Sequence, residues 1–276
     1  MNAEEPVRVV TGATSGIGRA LALQLAAGGG TIVLVGRDES RAQAARTEIT
    51  RAAPGARVEV QLADLSSQTA VRELANRLAA AHPRIATLVN CAAVFSSRRV
   101  ETADGLELMF ATNHLAPFLL TNLLLPSLKA GGAARVLTVT APSTVKLDFD
   151  DLQGARRFRA LMAFGASKAA NLLFVFELAR RIAGSGVTAN AVHPGLARTG
   201  LMRQSPALLR VPIALLSAAP GRVAERIAPL LLDEQYAKAN GEFFHRGRPI
   251  QPPRSARDPD LQHRLWEVSE RLTGLT

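Results

Sequence analysis

The residues best suited to chemistry stand near the N-terminus, where Val7-Arg-Val-Val10 runs into Thr11-Gly12-Ala13-Thr14-Ser15-Gly16-Ile17-Gly18. A stretch of strand character gives way to a turn carrying glycines 12, 16 and 18, and a helical pattern starts at Ile17. A junction of that kind binds anions. Glycine lets the backbone take conformations barred to other residues and lets a phosphate come close, while the first helical turn offers unpaired N–H groups and the positive end of its dipole. A glycine cluster by itself marks only a tight turn, and the spacing Gly12-x3-Gly16-x-Gly18 is not the G-x-G-x-x-G dinucleotide fingerprint. Its place between a strand and a helix, and the company of the loops downstream, carry the reading.

Positioning such a loop takes a regular alternation of strands and helices, and the chain supplies one. After a helix to about Ala27, Gly28-Gly29-Gly30 closes it and Thr31 to Val35 reads as a buried strand. A helix over Glu39 to Ala52 ends at Pro54-Gly55, and Arg57 to Gln61 form a third strand leading to Asp64-Leu65. A helix over Ser67 to Ala81 and a strand over Ile85 to Asn90 come next; a long helical stretch then spans Gly105 to Lys129, with Pro117 as a kink or boundary. A strand over Ala134 to Thr140, a helix over Phe164 to Ile182, a strand over Val187 to Val192, a short strand at Glu242 to Phe244 and a final helix over Pro259 to Leu272 complete the pattern. This predicts one α/β domain over residues 1–276: a Rossmann-like, doubly wound parallel sheet of about seven strands, covered on both faces. Ligands of such sheets sit beyond the carboxyl ends of the strands. That rule gathers the glycine loop, Arg37, Asp64, Asn90, Thr140 with Ala141, and His193-Pro194-Gly195 into one cleft.

Composition narrows the partners. With 276 residues, 47% of them hydrophobic, the chain can bury a sizeable core. The net charge of +10 invites a nucleic-acid reading, but aromatics make up only 4% and the basic residues are scattered, so a general preference for anions and no nucleic acid is expected. One cysteine, Cys91, excludes an internal disulfide and fits a reducing compartment. No run approaches the ~18 apolar residues of a membrane span. A soluble cytoplasmic protein without a metal is the expectation.

The chain resembles the short-chain dehydrogenase/reductase family through Thr11-Gly12-x3-Gly16-x-Gly18, Asp64-Leu65, Asn113 in Thr112-Asn113-His114-Leu115, Ser167-Lys168 and Pro194-Gly195-x3-Thr199. It is most similar to the retinol-dehydrogenase-like branch, through Thr102-Ala-Asp-Gly105, Asn113-His-Leu-Ala-Pro-Phe-Leu-Leu-Thr121, Asp148-Phe-Asp-Asp-Leu-Gln153, Ser167-Lys-Ala-Ala-Asn-Leu-Leu173, Ala191-Val-His-Pro-Gly195 and Arg264-Leu-Trp-Glu-Val-Ser269. Each motif is weak and their joint order is specific. The resemblance implies a nicotinamide dinucleotide whose pyrophosphate rests on Gly12, Thr14, Ser15, Gly16, Ile17 and Gly18, with Thr11 at the strand end. It further implies Asp64 and Leu65 at the adenine, Asn90 lining the cofactor, Lys168 on the nicotinamide ribose, and Pro194, Gly195 and Thr199 near the carboxamide. Arg37 favours NADP(H), because a guanidinium can engage a 2'-phosphate with a forked, charge-assisted contact where a carboxylate would repel it; Asp38 beside it could compete, and Arg19 could add charge. The family also implies subunit pairing through the helices at Gly105 to Lys129 and Phe164 to Ile182, hence a homo-oligomer.

The catalytic positions depart from the family. Its general acid is a tyrosine four residues before the lysine, and here that position is Phe164, on the same helix face as Lys168. The carbonyl-orienting serine position is Ala141, in Val139-Thr140-Ala141. Asn90-Cys91-Ala92-Ala93 stands where the family carries Asn-Asn-Ala-Gly. The survivors are Lys168, for the ribose, and Asn113, which either holds a water near the lysine or braces its helix. Hydride transfer belongs to the cofactor, whereas the proton must come from the protein or its surroundings, and general acid catalysis is worth ~10²- to 10⁴-fold. Ser143 and Thr140 are candidate hydroxyls, Thr140 equally well facing the backbone from its strand end; Tyr236, the one tyrosine, lies outside every motif; His193 could titrate near neutrality, but the family carries the same His-Pro-Gly without using it as the acid. Residues 201–222, apolar with prolines, read as a lid over a lipophilic small molecule, or equally as core or subunit contact.

Three classes of function are compatible with these residues. One is an NADPH-dependent reductase of a lipophilic ketone or aldehyde with a non-standard proton donor. A second is a non-redox catalyst, a cyclase or isomerase, using bound cofactor as pocket wall. A third is a cofactor-binding pseudoenzyme. An introduced Tyr-to-Phe change at Phe164 would give the same residue but would leave Ala141 unexplained.

Overall fold

A computed structural model describes residues 5–195 and 218–275. Eight strands, β1 (Val7–Thr11), β2 (Gly30–Gly36), β3 (Ala56–Leu62), β4 (Thr87–Asn90), β5 (Arg135–Val139), β6 (Thr188–His193), β7 (Phe243–His245) and β8 (Arg248–Pro249), form one sheet. Their order is β3-β2-β1-β4-β5-β6-β7-β8. The first seven are parallel, and the expected count of about seven is extended by the short antiparallel edge strand β8. β1 pairs with β2 on one side and β4 on the other, so the crossovers run outward in opposite directions and open a crevice at the carboxyl ends of these strands.

Helices α1 (Gly16–Ala26), α2 (Glu39–Ala52) and α6 (Pro220–Ile227) cover one face; α3 (Gln68–Ala81), α4 (Leu108–Ala130), α5 (Ala160–Arg181) and α7 (Pro259–Thr273) cover the other. The strands between them are largely apolar, as burial on two faces demands: residues Thr31 to Val35 of β2 are all buried. α3 turns Val71, Leu74, Ala75 and Leu78 inward, the spacing of one helical face, and each large apolar side chain so buried is worth roughly 1.5–3 kcal/mol. Asp38 caps α2 and Ser67 caps α3, each pairing an amide the helix cannot satisfy itself.

Three features differ from expectation. α4 does not break at Pro117; it widens into a π-turn over Ala111–Leu115 just before it. Proline has no N–H to give the carbonyl four residues back, at Asn113, and its ring crowds that carbonyl, so the misfit is absorbed in a wider turn around Asn113. α6 lies partly inside the stretch read as a lid, and its Val223, Ala224 and Ile227 are core; residues 201–217 of that stretch lie outside the described residues. Finally, Leu108–Ala130 and Ala160–Arg181 are long and apolar enough to cross a membrane by length and composition, contrary to the expectation that nothing approaches that limit. Their apolar windows are 78% and 61% buried inside the fold, which is what helices packed on a sheet require. His114 of α4 is buried among Phe110, Phe118 and Phe174, and burial pushes its imidazole down to about 3.

Candidate active site

The glycine loop is shaped by contacts only glycine permits. Gly12 has φ +68°, and a Cβ there would meet Ala92 Cα at 2.8 Å; a Cβ on Gly18 would lie 2.4 Å from the Gly12 carbonyl oxygen. Thr14 packs over the end of β2, where a Cβ on Gly36 would meet its Cγ2 at 2.3 Å. Ser15 occupies the N-cap of α1 without a side-chain cap bond, and no acidic residue lies in the first turn. The amides of Gly16, Ile17 and Gly18 therefore open the helix without a capping side chain, which is the arrangement a pyrophosphate needs.

Thr11, at the end of β1, ties two loops together. Its buried hydroxyl donates to the Val89 carbonyl at 3.2 Å and accepts from the amides of Cys91 and Ala92 at 3.0 and 3.2 Å. It staples the loop after β1 to the loop after β4. Asn90 points inward, its amide donating to Thr121 Oγ1 at 3.1 Å, while its Oδ1 is buried without a partner. Thr11, Leu65, Asn90, Ala92 and Asn171 meet around one narrow crevice.

At the end of β2 the charges are sorted. Arg37 is exposed and makes no hydrogen bond or ion pair with any described residue. The Asp38 carboxylate accepts from the Arg41 amide at 2.9 Å and pairs with its guanidinium at 3.3 Å, so it is occupied as a helix cap. Arg19 is paired with Glu48 at 3.2 Å. Asp64 is exposed and closes its own turn, accepting from the amide and hydroxyl of Ser66 at 2.9 and 2.8 Å.

The other end of the crevice is made by α5 and the loops that pack on it. Phe164 and Lys168 stack one turn apart, with Lys168 Nζ 5.4 Å from the ring centroid. Phe95 packs edge-on against the same ring, centroids 5.7 Å apart. Lys168 is 7% exposed, and burial holds its ammonium down at about 8, with Cys91 nearby acting the other way. The Cys91 thiol is pushed up to about 11 by burial, partly offset by Lys168. In the sequence Cys91 stands out as a departure from the family, but its nearness to Lys168 does not; the available signal is its place directly after Asn90, at the end of a strand flanking the switch point.

Most other polar candidates are committed. Asn113 accepts from the Val94 amide at 2.7 Å and donates to the Val94 carbonyl and to Ser167 Oγ at 3.0 and 3.1 Å; its side chain braces the loop after β4 against α5. Thr140 donates to the Lys168 carbonyl at 2.9 Å, a backbone bond that ties β5 to α5. Tyr236 donates to the Gly247 carbonyl at 2.8 Å. His193 stacks on His245 with centroids 4.8 Å apart, and burial and that neighbour hold its imidazole below the ordinary histidine range. Ser143 is the exception. It accepts from the Val145 amide at 3.3 Å and its Oγ lies beside Gly165, 3.3 Å from where a Cβ would stand, next to Phe164. Ala141 offers only a methyl group. Pro194 and Gly195 come directly after β6, with Gly195 at φ +76°; Thr199 lies outside the described residues.

Comparison with known proteins agrees with this geometry. The short chain dehydrogenase family model matches residues 6–208. Human retinol dehydrogenase 13 is 38% identical over 278 aligned residues, covering 97% of this chain and 84% of the relative. Among solved structures, an uncharacterized protein from Mycobacterium paratuberculosis superposes with a TM-score of 0.80 at 31% identity, covering 99% of this chain and 94% of the other. A short chain dehydrogenase from Burkholderia cenocepacia in complex with NADP gives 0.70 at 25%, covering 88% and 96%.

Proposed function

The chain belongs to the short-chain dehydrogenase family, and on that premise we propose that it is an NADPH-dependent reductase of a lipophilic ketone or aldehyde whose proton donor is not the family's tyrosine. The observation that carries the coenzyme choice is the pairing at the end of β2. Arg37 has no partner among the described residues, while the adjacent carboxylate that would select a 2'-hydroxyl is spent on capping α2. An unpaired, exposed guanidinium beyond that strand suits a 2'-phosphate. The NADP complex of the Burkholderia structure supports the same coenzyme.

In this reading the uncapped amides of α1 and the turn at Gly12 hold the pyrophosphate, Asp64, Leu65 and Asn90 line the adenosine side, and Lys168 reaches the nicotinamide ribose. Pro194, Gly195 and Thr199 complete the nicotinamide end. The bound coenzyme supplies the hydride. Ser143, beside Phe164, takes over orientation of the carbonyl from the missing serine. A lipophilic substrate is supported by Phe95 and Phe164, by Leu161 and Met162, which stand 56% and 50% exposed just before Phe164 on α5, and by a relative named for retinol, an apolar alcohol.

The test is titration with NADPH and NADH, then a panel of apolar carbonyls read at the nicotinamide absorbance. NADPH should bind at least about tenfold more tightly, as one charge-assisted contact supplies, and at least one carbonyl should be reduced. Equal affinity for the two coenzymes would remove the role given to Arg37. Tight binding with no oxidation across the panel would remove the reductase.

A further inference from the structure

We propose that the Lys168 ammonium itself delivers the proton to the carbonyl oxygen, standing in for the phenol that Phe164 lacks; this rests on the reductase reading above. The other candidate proton donors near the crevice are either engaged or too weakly acidic. Thr140 spends its hydroxyl proton on the Lys168 carbonyl and Tyr236 spends its own on Gly247. Asn113 is bonded at both ends of its amide. His193 lies stacked on His245 with its charge suppressed. Ser143 can orient a carbonyl, but an aliphatic hydroxyl is far too weak an acid to release its proton near neutrality.

Lys168 is in the opposite position. It is buried at the heart of the site, and no described residue accepts a hydrogen bond from it; its neighbours are the face of the Phe164 ring and the Cys91 thiol. Three N–H donors are thus unspent. Where the family's lysine is held against a phenol, this one meets a ring with no oxygen, so no phenol stands between Nζ and a carbonyl brought to the site, and the proton passes directly or through one water. Burial also makes the ammonium a stronger acid than an ordinary lysine, at about 8, close to where a general acid works best. The titratable side chain bearing on it is Cys91, whose thiol holds its proton until about 11; Asn113 and Thr140, across from α5, carry no charge.

The step balances simply. The carbonyl carbon receives the hydride, the oxygen takes a proton from Nζ as an O–H bond forms, and the N–H electron pair stays on nitrogen as a neutral amine. Solvent then returns the proton.

Two measurements test this, one without turnover. The chain has four lysines, 129, 146, 168 and 238, so competitive acetylation of the coenzyme-free protein across pH, read peptide by peptide, resolves each. Lys168 should become reactive with a midpoint near 8, well below the ordinary lysine range. In the second, reduction should fall about tenfold per pH unit above that same midpoint, Phe164→Tyr should remove this limb, and Lys168→Arg, compared at saturating coenzyme, should lose at least about 100-fold in rate, because arginine holds its proton throughout. A Lys168 midpoint in the ordinary lysine range, a flat rate through pH 8 in an active enzyme, or a fully active Lys168→Arg variant would each overturn the assignment and leave the reductase reading intact. Bound coenzyme with no carbonyl reduced at any pH would overturn both.

Discussion

Where the loop after β1 faces the end of β2, the groups that matter are backbone amides, glycines forced by close approach, and one guanidinium, Arg37, without a partner among the described residues. Where α5 meets the loop after β4, they are side chains, and two of the positions lack the hydroxyls that the family places there. On the proposed reading, the first region keeps the family pattern and the second does not. A backbone cradle is hard to alter without breaking the fold: a Cβ at Gly12 or Gly18 collides with main chain. At the proposed catalytic position, by contrast, a phenyl ring packs against Phe95 without needing a hydroxyl. On the proposed reading the difference makes binding and turnover separable, and variants can pull them further apart.

The largest separation should come from Gly12→Val. The side chain meets Ala92 at a left-handed φ, so dinucleotide binding should disappear from fluorescence titration and stability should fall by several kcal/mol. Phe164→Tyr should do the reverse, raising kcat with coenzyme Kd unchanged and by less than the full ~10²- to 10⁴-fold worth of a general acid, since Lys168 already supplies part of it; a variant that gains nothing would show that a phenol at this position does not reach the reacting oxygen.

Lys168→Met tests the energetic cost of the reactive end. The ammonium is held at about 8 against an ordinary lysine's 10.5, so the folded chain binds fewer protons than the unfolded one between these values and stability rises with pH across that window. Below pH 8 the buried charge costs of order 3 kcal/mol; Lys168→Met should therefore raise the denaturant midpoint at pH 7, with the gain shrinking as pH climbs toward the ordinary lysine value. Arg37→Ala should weaken NADPH by roughly 1.5–3 kcal/mol and leave NADH unchanged, confining the effect to the first region. Asp38→Ala should cost about 1 kcal/mol of stability through the lost cap without creating NADH preference, since its carboxylate is not waiting for a ribose.

Much of the first region was legible in the sequence because its signals are local. The glycine spacing, the strand before it, and α2 from Glu39 to Ala52 with Asp38 before it are read from neighbours along the chain. The π-turn at Ala111–Leu115 was not legible, because Pro117 announces a disturbance but not where the helix will absorb it. α6 was hidden at the end of an apolar, proline-containing run whose short helical face is indistinguishable from a lid. The strand β8 is too short to show alternation. At the reactive end, Phe164, Lys168 and Ala141 could be aligned with their family positions, and a backbone-facing Thr140 and a bracing Asn113 were among the open alternatives; the partners they take, Lys168 and Val94, depend on contacts between distant segments that no local pattern records.

The Thr11 staple has a consequence for how the cleft accommodates a guest. Because one hydroxyl grips Val89, Cys91 and Ala92 together while Gly12 nests against Ala92, the loops after β1 and β4 behave as a single rigid plate rather than two independent flaps. That wall needs little ordering when it is filled, which favours tight capture of a ligand of the right outline. It also leaves no slack for one of the wrong outline, so any broadening of what this protein accepts must be made on the opposite side.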